Sequence, residues 1–115
     1  MKKAVHLRCM SFVLTVRPRI ITNGNKKNRR SYKEDERLLL ACETEEGTTP
    51  NIRWMKNGEL MPGEQKDYFS VENLSKNDTG VYSCCAYYPN GNVSSMEVLV
   101  RVQCKCKLFL LKGND

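Results

Sequence analysis

Histidine is nearly absent from this 115-residue chain, which has one, His6, well before the region with the clearest strand pattern. Catalytic triads and metal cages that depend on histidine therefore lack their key residue in that region. Phosphate-binding loops and paired catalytic carboxylates are also missing, because the acidic clusters at 34–36 and 43–46 fall in loops and strand edges, where carboxylates are solvated. The sequence predicts a protein that is not an enzyme and has no cofactor.

Zinc ligation has one weak candidate, in which Cys104-Lys-Cys106 joins Cys84-Cys85. The Cys-x-Cys spacing differs from the Cys-x₂₋₄-Cys spacing of structural zinc sites, so we predict no metal. Six cysteines in so short a chain favour an oxidising compartment instead. Three Asn-x-Ser/Thr triplets point the same way, and the glycosylation candidates are Asn73, Asn77 and Asn92.

Long apolar runs are missing too, since no stretch approaches the ~18 residues needed to span a bilayer. A membrane anchor, if the protein has one, is therefore expected outside this chain. Residues 1–16 resemble a signal peptide in their Lys2-Lys3 start and apolar end, but Arg17-Pro-Arg19 stands where small residues mark cleavage. We treat residues 1–17 as a leader or linker of uncertain order and residues 104–115 as a tail.

The chain shows no helical pattern longer than one turn, and its apolar residues alternate instead. Turn residues separate the alternating segments at Asn57-Gly58 and at Pro89-Asn90-Gly91. Short strands with turn chemistry between them predict an all-β sandwich. The inward positions of three segments are Leu38, Leu40 and Cys42, then Ile52 and Trp54, then Met96, Val98, Val100 and Val102.

The strongest motif is Asp78-x-Gly80-x-Tyr82-x-Cys84, which follows Phe69-x-Val71-x-x-Leu74. Upstream lie Leu40-x-Cys42 and the sole tryptophan in Trp54-x-Lys-Asn-Gly. With these residues, positions 18–103 resemble an immunoglobulin superfamily domain of the I-set or C2 type, which is a Greek-key sandwich of two antiparallel sheets. Only 30 residues separate Trp54 from Cys84, so we expect a shortened C′–D region.

The resemblance assigns a role to each motif residue. Cys42 on strand B and Cys84 on strand F would form the disulfide between the sheets, with Trp54 of strand C packed against it. Tyr82 would point inward and bond backbone at the E–F corner through its hydroxyl. Asp78 and Gly80 suit the corner, because Asp binds local amides and Gly tolerates positive φ.

Basic residues are concentrated before the sandwich, since residues 1–37 hold eleven Lys/Arg and three acids, a local balance of +8. The cluster Lys26, Lys27, Arg29 and Arg30 resembles the basic segment of the second immunoglobulin domain of fibroblast growth factor receptors, which implies heparan sulfate binding. A solvated loop is the alternative. Nucleic acid is not expected, because no aromatic residues are interleaved to stack on bases.

Strand parity places a second candidate surface on the outer face of the G–F–C sheet, where inward Tyr82 and Cys84 leave Cys85 pointing outward. Its protein-contact candidates are Arg53, Met55, Cys85, Tyr87 and Leu99. Scattered surface apolars are the alternative. The pairing of Cys85 stays open between Cys9, Cys104, Cys106 and a second chain.

These patterns predict a non-enzymatic extracellular module of a cell-surface receptor or adhesion protein, which binds a protein ligand or a homophilic partner. Heparan sulfate is a possible co-ligand. The alternative is a structural I-set domain of an intracellular muscle or cytoskeletal protein, which would carry free thiols and unmodified asparagines.

Overall fold

The computed structural model describes residues 17–24, 30–89 and 91–104. Over these residues the chain forms nine strands and a single turn of 3₁₀ helix at Lys76–Asp78. The strands are β1 Arg19–Thr22, β2 Ser31–Lys33, β3 Leu38–Glu43, β4 Asn51–Lys56, β5 Glu59–Leu60, β6 Tyr68–Val71, β7 Gly80–Tyr88, β8 Gly91–Ser94 and β9 Val98–Gln103.

The strands form two sheets, which confirms the predicted all-β sandwich. One sheet has three strands in the order β1-β3-β6. The other has six strands in the order β2-β9-β7-β4-β5, with β8 also paired to β7. The C′–D region is short as expected, because β5 has two residues and residues 61–67 contain no strand.

The core lies between the two sheets and is filled by alternate residues of the facing strands. Leu38, Leu40 and Cys42 alternate inward along β3, as their sequence spacing predicts. Trp54, Tyr82 and other large side chains fill the space from the second sheet. The buried cluster therefore has the two-layer construction that a single domain of this length needs.

The predicted disulfide joins the two layers, since Cys42 of β3 is bonded to Cys84 of β7 across 42 positions of sequence. Trp54 is fully buried and lies opposite Cys84 in the β4–β7 register. Its indole Nε1 donates to the carbonyl of Lys66 at 2.8 Å, which satisfies the one polar atom of its side chain. Phe69 then lies between Trp54 and Tyr82, at ring-centroid distances of 6.2 and 5.8 Å.

Tyr82 fastens the corner between β6 and β7, as predicted. Its hydroxyl donates to the carbonyl of Asp78 at 2.6 Å. The carboxylate of Asp78 in turn accepts the backbone N–H of Ser75 at 2.8 Å, which closes the 3₁₀ turn. Burial, with a smaller contribution from the negative charge of Asp78, raises the pKa of Tyr82 to about 12.

Gly80 serves the corner for a reason that the sequence analysis did not anticipate. Gly80 is not among the residues with positive φ, although Asn57 and Gly58 of the nearby β4–β5 turn are. A Cβ at Gly80 would lie 3.0 Å from Cε of Lys56 and 3.1 Å from Oδ1 of Asn57. The expectation of a positive φ at Gly80 was therefore wrong. Glycine instead leaves room for the side chains of Lys56 and Asn57, which would have to shift to accommodate a Cβ.

Two further strand expectations need correction. Strand β2 is not among the alternating segments predicted from the sequence; it pairs in parallel with β9, with Tyr32 as its buried residue. Met96 was expected to point inward on the last strand, but it is 66% exposed and precedes β9. The chain leaves β8 at Ser94 and re-enters the sheet at Val98, so the inward alternation restarts there.

Replacing Tyr82 with phenylalanine is expected to cost about 1–2 kcal/mol of unfolding free energy, because the change leaves the Asp78 carbonyl without its donor. The change also alters the pH dependence of stability. The raised pKa means that the folded chain binds more protons than the unfolded chain between pH 10 and about 12. Stability from this group is therefore complete below pH 10 and is lost as the pH rises through about 12.

The measurement is urea unfolding at neutral pH and at several alkaline pH values. Tyr68→Phe is the matched control, because Tyr68 is 44% exposed. Tyr82→Phe should flatten the alkaline loss of stability, whereas Tyr68→Phe should leave it unchanged. Equal alkaline slopes in wild-type protein and Tyr82→Phe would contradict the assignment.

Candidate functional site

The outer face of the six-stranded sheet, the side opposite the core, holds the protein-contact candidates. Arg53, Tyr87 and Leu99 are half-buried there. Cys85 is fully buried and Met55 is 8% exposed, so the prediction that these two side chains are exposed was wrong. Neither belongs to the core cluster, as alternation along β4 and β7 predicts. Strand parity gave their side of the sheet, but parity does not report whether that side is covered.

Cys85 is also disulfide-bonded, as is Cys104 at the end of β9. A thiol on the outer face of β7 has therefore found a partner, as the oxidising-compartment argument expects. Two of the other cysteines considered in the pairing, Cys9 and Cys106, lie outside the described residues, as do the leader 1–16 and the tail beyond residue 104.

A cleft that the sequence analysis missed opens at one end of the sandwich. It has a volume of about 530 Å³ and lies between the β3–β4 loop and the end of β7. The hydroxyls of Thr48 and Tyr88 lie 3.5 Å apart across it, and Thr48 Oγ1 donates to the Glu45 carbonyl at 2.6 Å. Its lining is uncharged: Thr48, Thr49, Pro50, Asn51, Tyr87, Tyr88 and Pro89. We call it the loop-end cleft.

Its aromatic and proline content suits contact with another molecule, because tyrosines supply large contact area at low entropic cost. The available signal was the adjacency of Tyr87-Tyr88-Pro89 and Thr48-Thr49-Pro50 to predicted turns. Tyr87 links the cleft to the outer face, so the two surfaces are continuous.

The basic segment is described in part. Lys26, Lys27 and Arg29 lie outside the described residues, whereas Arg30 is exposed at the start of β2. The Arg30 carbonyl accepts the N–H of Arg101 at 2.8 Å, which brings an exposed cation of β9 beside the segment. Ser31 pairs with Arg101, and Lys33 lies two residues further along β2, on the same side of the strand as Ser31. We call Arg30, Lys33 and Arg101 the cationic edge.

Within the described part of the chain, none of these three cations forms an ion pair. A cation without a neighbouring carboxylate partner can bind a polyanionic ligand without first breaking an ion pair. The edge ends at the turn after Lys33, where Glu34 begins a short acidic stretch. Sequence reasoning missed Lys33 and Arg101 as members of this cluster, because β9 joins β2 from about 70 positions away.

The glycosylation candidates lie at two places. Asn73 and Asn77 are exposed on the connection between β6 and β7, and Asn92 is half-buried in β8. The Asn77 backbone carbonyl accepts a hydrogen bond from the Lys56 ammonium at 2.7 Å. Asn77 itself is exposed in the 3₁₀ turn. The first two asparagines are therefore accessible to a modifying enzyme.

Within residues 17–24, 30–89 and 91–104, no cluster of three metal-ligating side chains occurs. Over the same residues, no helix is long and apolar enough to cross a bilayer.

Comparison with known families decides the classification. The family model described as immunoglobulin domain matches residues 17–87, which is more than half of the chain. The chain belongs to the immunoglobulin domain family. The match runs from β1 to Tyr87 in β7 and includes Cys42, Trp54, Tyr82 and Cys84.

Relatives of this immunoglobulin domain include proteins that are much longer than this chain. Human Roundabout homolog 2 is 32% identical over 94 residues, which is 76% of this chain and 7% of that protein. Neural cell adhesion molecule 1-B of Xenopus laevis is 32% identical over 87 residues, 69% of this chain and 8% of the relative. The chain thus spans less than a tenth of the length of either relative.

Solved structures share the fold. Murine CEACAM1b superposes with a TM-score of 0.65 at 16% identity, covering 77% of this chain and 45% of that one. The N-terminal four immunoglobulin domains of Dscam1 isoform 4.44 give a TM-score of 0.61 at 15% identity, covering 77% of this chain and 21% of theirs. At such identities the likeness concerns the fold alone.

Proposed function

We propose that this immunoglobulin domain is a non-enzymatic, extracellular protein-binding module of a cell-surface receptor or adhesion protein. The observation that carries the proposal is the oxidised state of its cysteines. Besides the core disulfide Cys42–Cys84, both Cys85 and Cys104 are disulfide-bonded. Disulfides at this density belong to secreted and cell-surface proteins and are rare in the cytosol. Relatives named as cell adhesion molecules support the same assignment.

The contact surface that we propose for a protein ligand is the loop-end cleft with the adjoining outer face. Tyr87 belongs to both, and Tyr88 faces Thr48 across the cleft. Aromatic side chains in a concave, uncharged surface are the usual anchors of a protein interface. Arg53 and Leu99 extend the surface along the sheet, whereas Met55 and Cys85 are buried and are not available to a ligand.

Heparan sulfate is the co-ligand that we propose for the basic segment. Lys26, Lys27 and Arg29 directly precede Arg30, and the pairing of β2 with β9 extends this charge to Lys33 and Arg101. A strip of exposed cations without ion pairs among the described residues suits a linear sulfated polysaccharide, because each cation meets a separate sulfate.

The intracellular alternative, a structural domain of a muscle or cytoskeletal protein, predicts the opposite covalent state. The chain should be expressed in a secretory system, and its intact mass compared before and after reduction and deglycosylation. We expect Cys42, Cys84, Cys85 and Cys104 to react with an alkylating reagent only after reduction. We also expect glycan at Asn73 or Asn77, since both are exposed.

Asn73→Gln and Asn77→Gln provide the matched controls, because each removes one acceptor without changing the fold. Free thiols in the native protein, together with no mass loss on deglycosylation, would reject the extracellular assignment. That result would favour the intracellular alternative.

A further inference from the structure

We propose that the free edge of β6 pairs with β6 of a second copy of this chain, and joins two three-stranded sheets into one. This inference rests on the proposed function, because it names one protein partner of the module. It uses a surface separate from the loop-end cleft and from the cationic edge.

The edge is open because no strand of the described residues lies beyond β6. In the sheet order β1-β3-β6, strand β6 is last, and the connection at residues 61–67 crosses from the other sheet without forming a strand. An edge strand carries a row of backbone donors and acceptors that face away from the sheet. Such a row pairs readily with another extended chain.

The hydrogen-bond pattern shows which residues of β6 present these groups. The N–H of Cys42 donates to the carbonyl of Asp67 at 2.8 Å, so Asp67 faces β3. Backbone groups alternate in direction along an antiparallel strand, so Phe69 and Val71 also face β3. Tyr68 and Ser70 therefore present their N–H and C=O groups to the open edge.

These two residues are spaced for self-pairing. If a two-fold axis passes beside Phe69, Tyr68 of one copy lies opposite Ser70 of the second copy, and the reverse. Each such pair exchanges two backbone hydrogen bonds, so the contact has four. The same patch serves both copies, as a closed two-fold dimer requires.

Charge selects this register over its neighbours. Lys66 and Glu72 are exposed in the bends that flank β6, each three residues from Phe69, so the pairing brings each side chain near its opposite charge on the second copy. A shift centred on Ser70 places Glu72 opposite Tyr68 and leaves Lys66 without an acid. Lys66 already lies 5.6 Å over the exposed Tyr68 ring, on the face where the cross-strand pair forms. An unrelated peptide would match this charge order by chance alone, which is why we assign the edge to a second copy.

The test is sedimentation equilibrium of the full chain over a wide range of concentration at low salt, since a contact of one short strand is weak in solution. Wild-type protein should self-associate. Lys66→Glu and Glu72→Lys should each weaken the association about tenfold, because each places like charges opposite each other twice per dimer. The double exchange Lys66→Glu/Glu72→Lys should restore it.

Ser70→Pro gives a second route, because it removes an N–H that faces the open edge and spares the β3–β6 ladder. It should abolish self-association. Arg19→Glu is the control, since Arg19 lies on β1 at the opposite edge of the sheet and pairs with Glu43, and its loss should leave association intact.

A wild-type chain that stays monomeric at the highest concentration would overturn the proposal, as would single charge reversals without effect or a double exchange that fails to restore. Self-association that survives Ser70→Pro would also overturn it, because the contact would then lie elsewhere. An oxidised chain that carries Asn73→Gln, which removes the glycan acceptor next to Glu72, and still remains monomeric refutes this inference and leaves the proposed function standing.

Discussion

Replacing Lys26, Lys27, Arg29 and Arg30 with alanine is expected to weaken binding to heparin about 10³-fold at low salt. Each Lys or Arg beside a dense anionic surface contributes about 1 kcal/mol, so four contribute about 4 kcal/mol. The interaction should also show the steep salt dependence of counterion release. Elution from immobilised heparin in a salt gradient gives the first measurement, and titration at two salt concentrations gives the affinity.

A control that removes positive charge elsewhere distinguishes a specific heparin site from general electrostatic attraction. Arg19 and Arg37 each lie beside a carboxylate, at 3.2 Å from Glu43 and 3.5 Å from Glu72. Their double replacement with alanine should change the elution point little. An unchanged elution point for the fourfold variant would reject the heparan sulfate proposal.

The cationic edge predicts more than the sequence motif does. Because Arg101 lies beside Arg30, replacing Lys33 and Arg101 together should lower heparin affinity in the same direction, by about tenfold or more. If only the residues of the linear segment matter, this variant will match the control. The comparison therefore tests whether β9 contributes to the site.

The core could be predicted from the sequence because burial restricts which residue types its positions can hold. Cys42, Trp54, Tyr82 and Cys84 must each face the interior, and their spacing is fixed by the strands that carry them. The turn at Asp78 was equally predictable, because a tight corner restricts the residue types that fit it. Features decided by a single strand and its turn were therefore predictable.

Features that depend on what packs against a strand could not be predicted from the sequence. Alternation gave the direction of Cys85, yet its complete burial depends on whatever covers that face. Strand β2 escaped notice because three residues with one buried position, Tyr32, carry too little pattern, and its partner β9 lies far along the chain. The role of Gly80 could not be predicted either, because it depends on the tertiary contact with Lys56 and Asn57.

The loop-end cleft shows the same limit at the level of function. Thr48 and Tyr88 are separated by 40 positions, and neither belongs to a motif. Their meeting depends on the β4–β7 register, in which Asn51 lies opposite Tyr87. A contact surface assembled from loops thus becomes visible only when the strands that carry the loops have been paired.

Removing the core disulfide by Cys42→Ala/Cys84→Ala is expected to cost about 4 kcal/mol of unfolding free energy. The bond closes a loop of 42 positions, and the chain-entropy model gives about this value for the freedom returned to the unfolded chain. A domain of this size has a total of only about 5–15 kcal/mol. Urea unfolding followed by Trp54 fluorescence measures the loss, because Trp54 is fully buried in the folded state.

Reduction of the wild-type protein provides the comparison, because it opens the bonds of Cys85 and Cys104 as well as the core bond. If the core bond dominates, reduced wild type and the double variant should unfold at similar urea concentrations. A much less stable reduced protein would mean that the outer bonds carry comparable weight. A double variant within about 1 kcal/mol of wild type would instead show that the packing of Trp54, Phe69 and Tyr82 holds the sheets together without the covalent link.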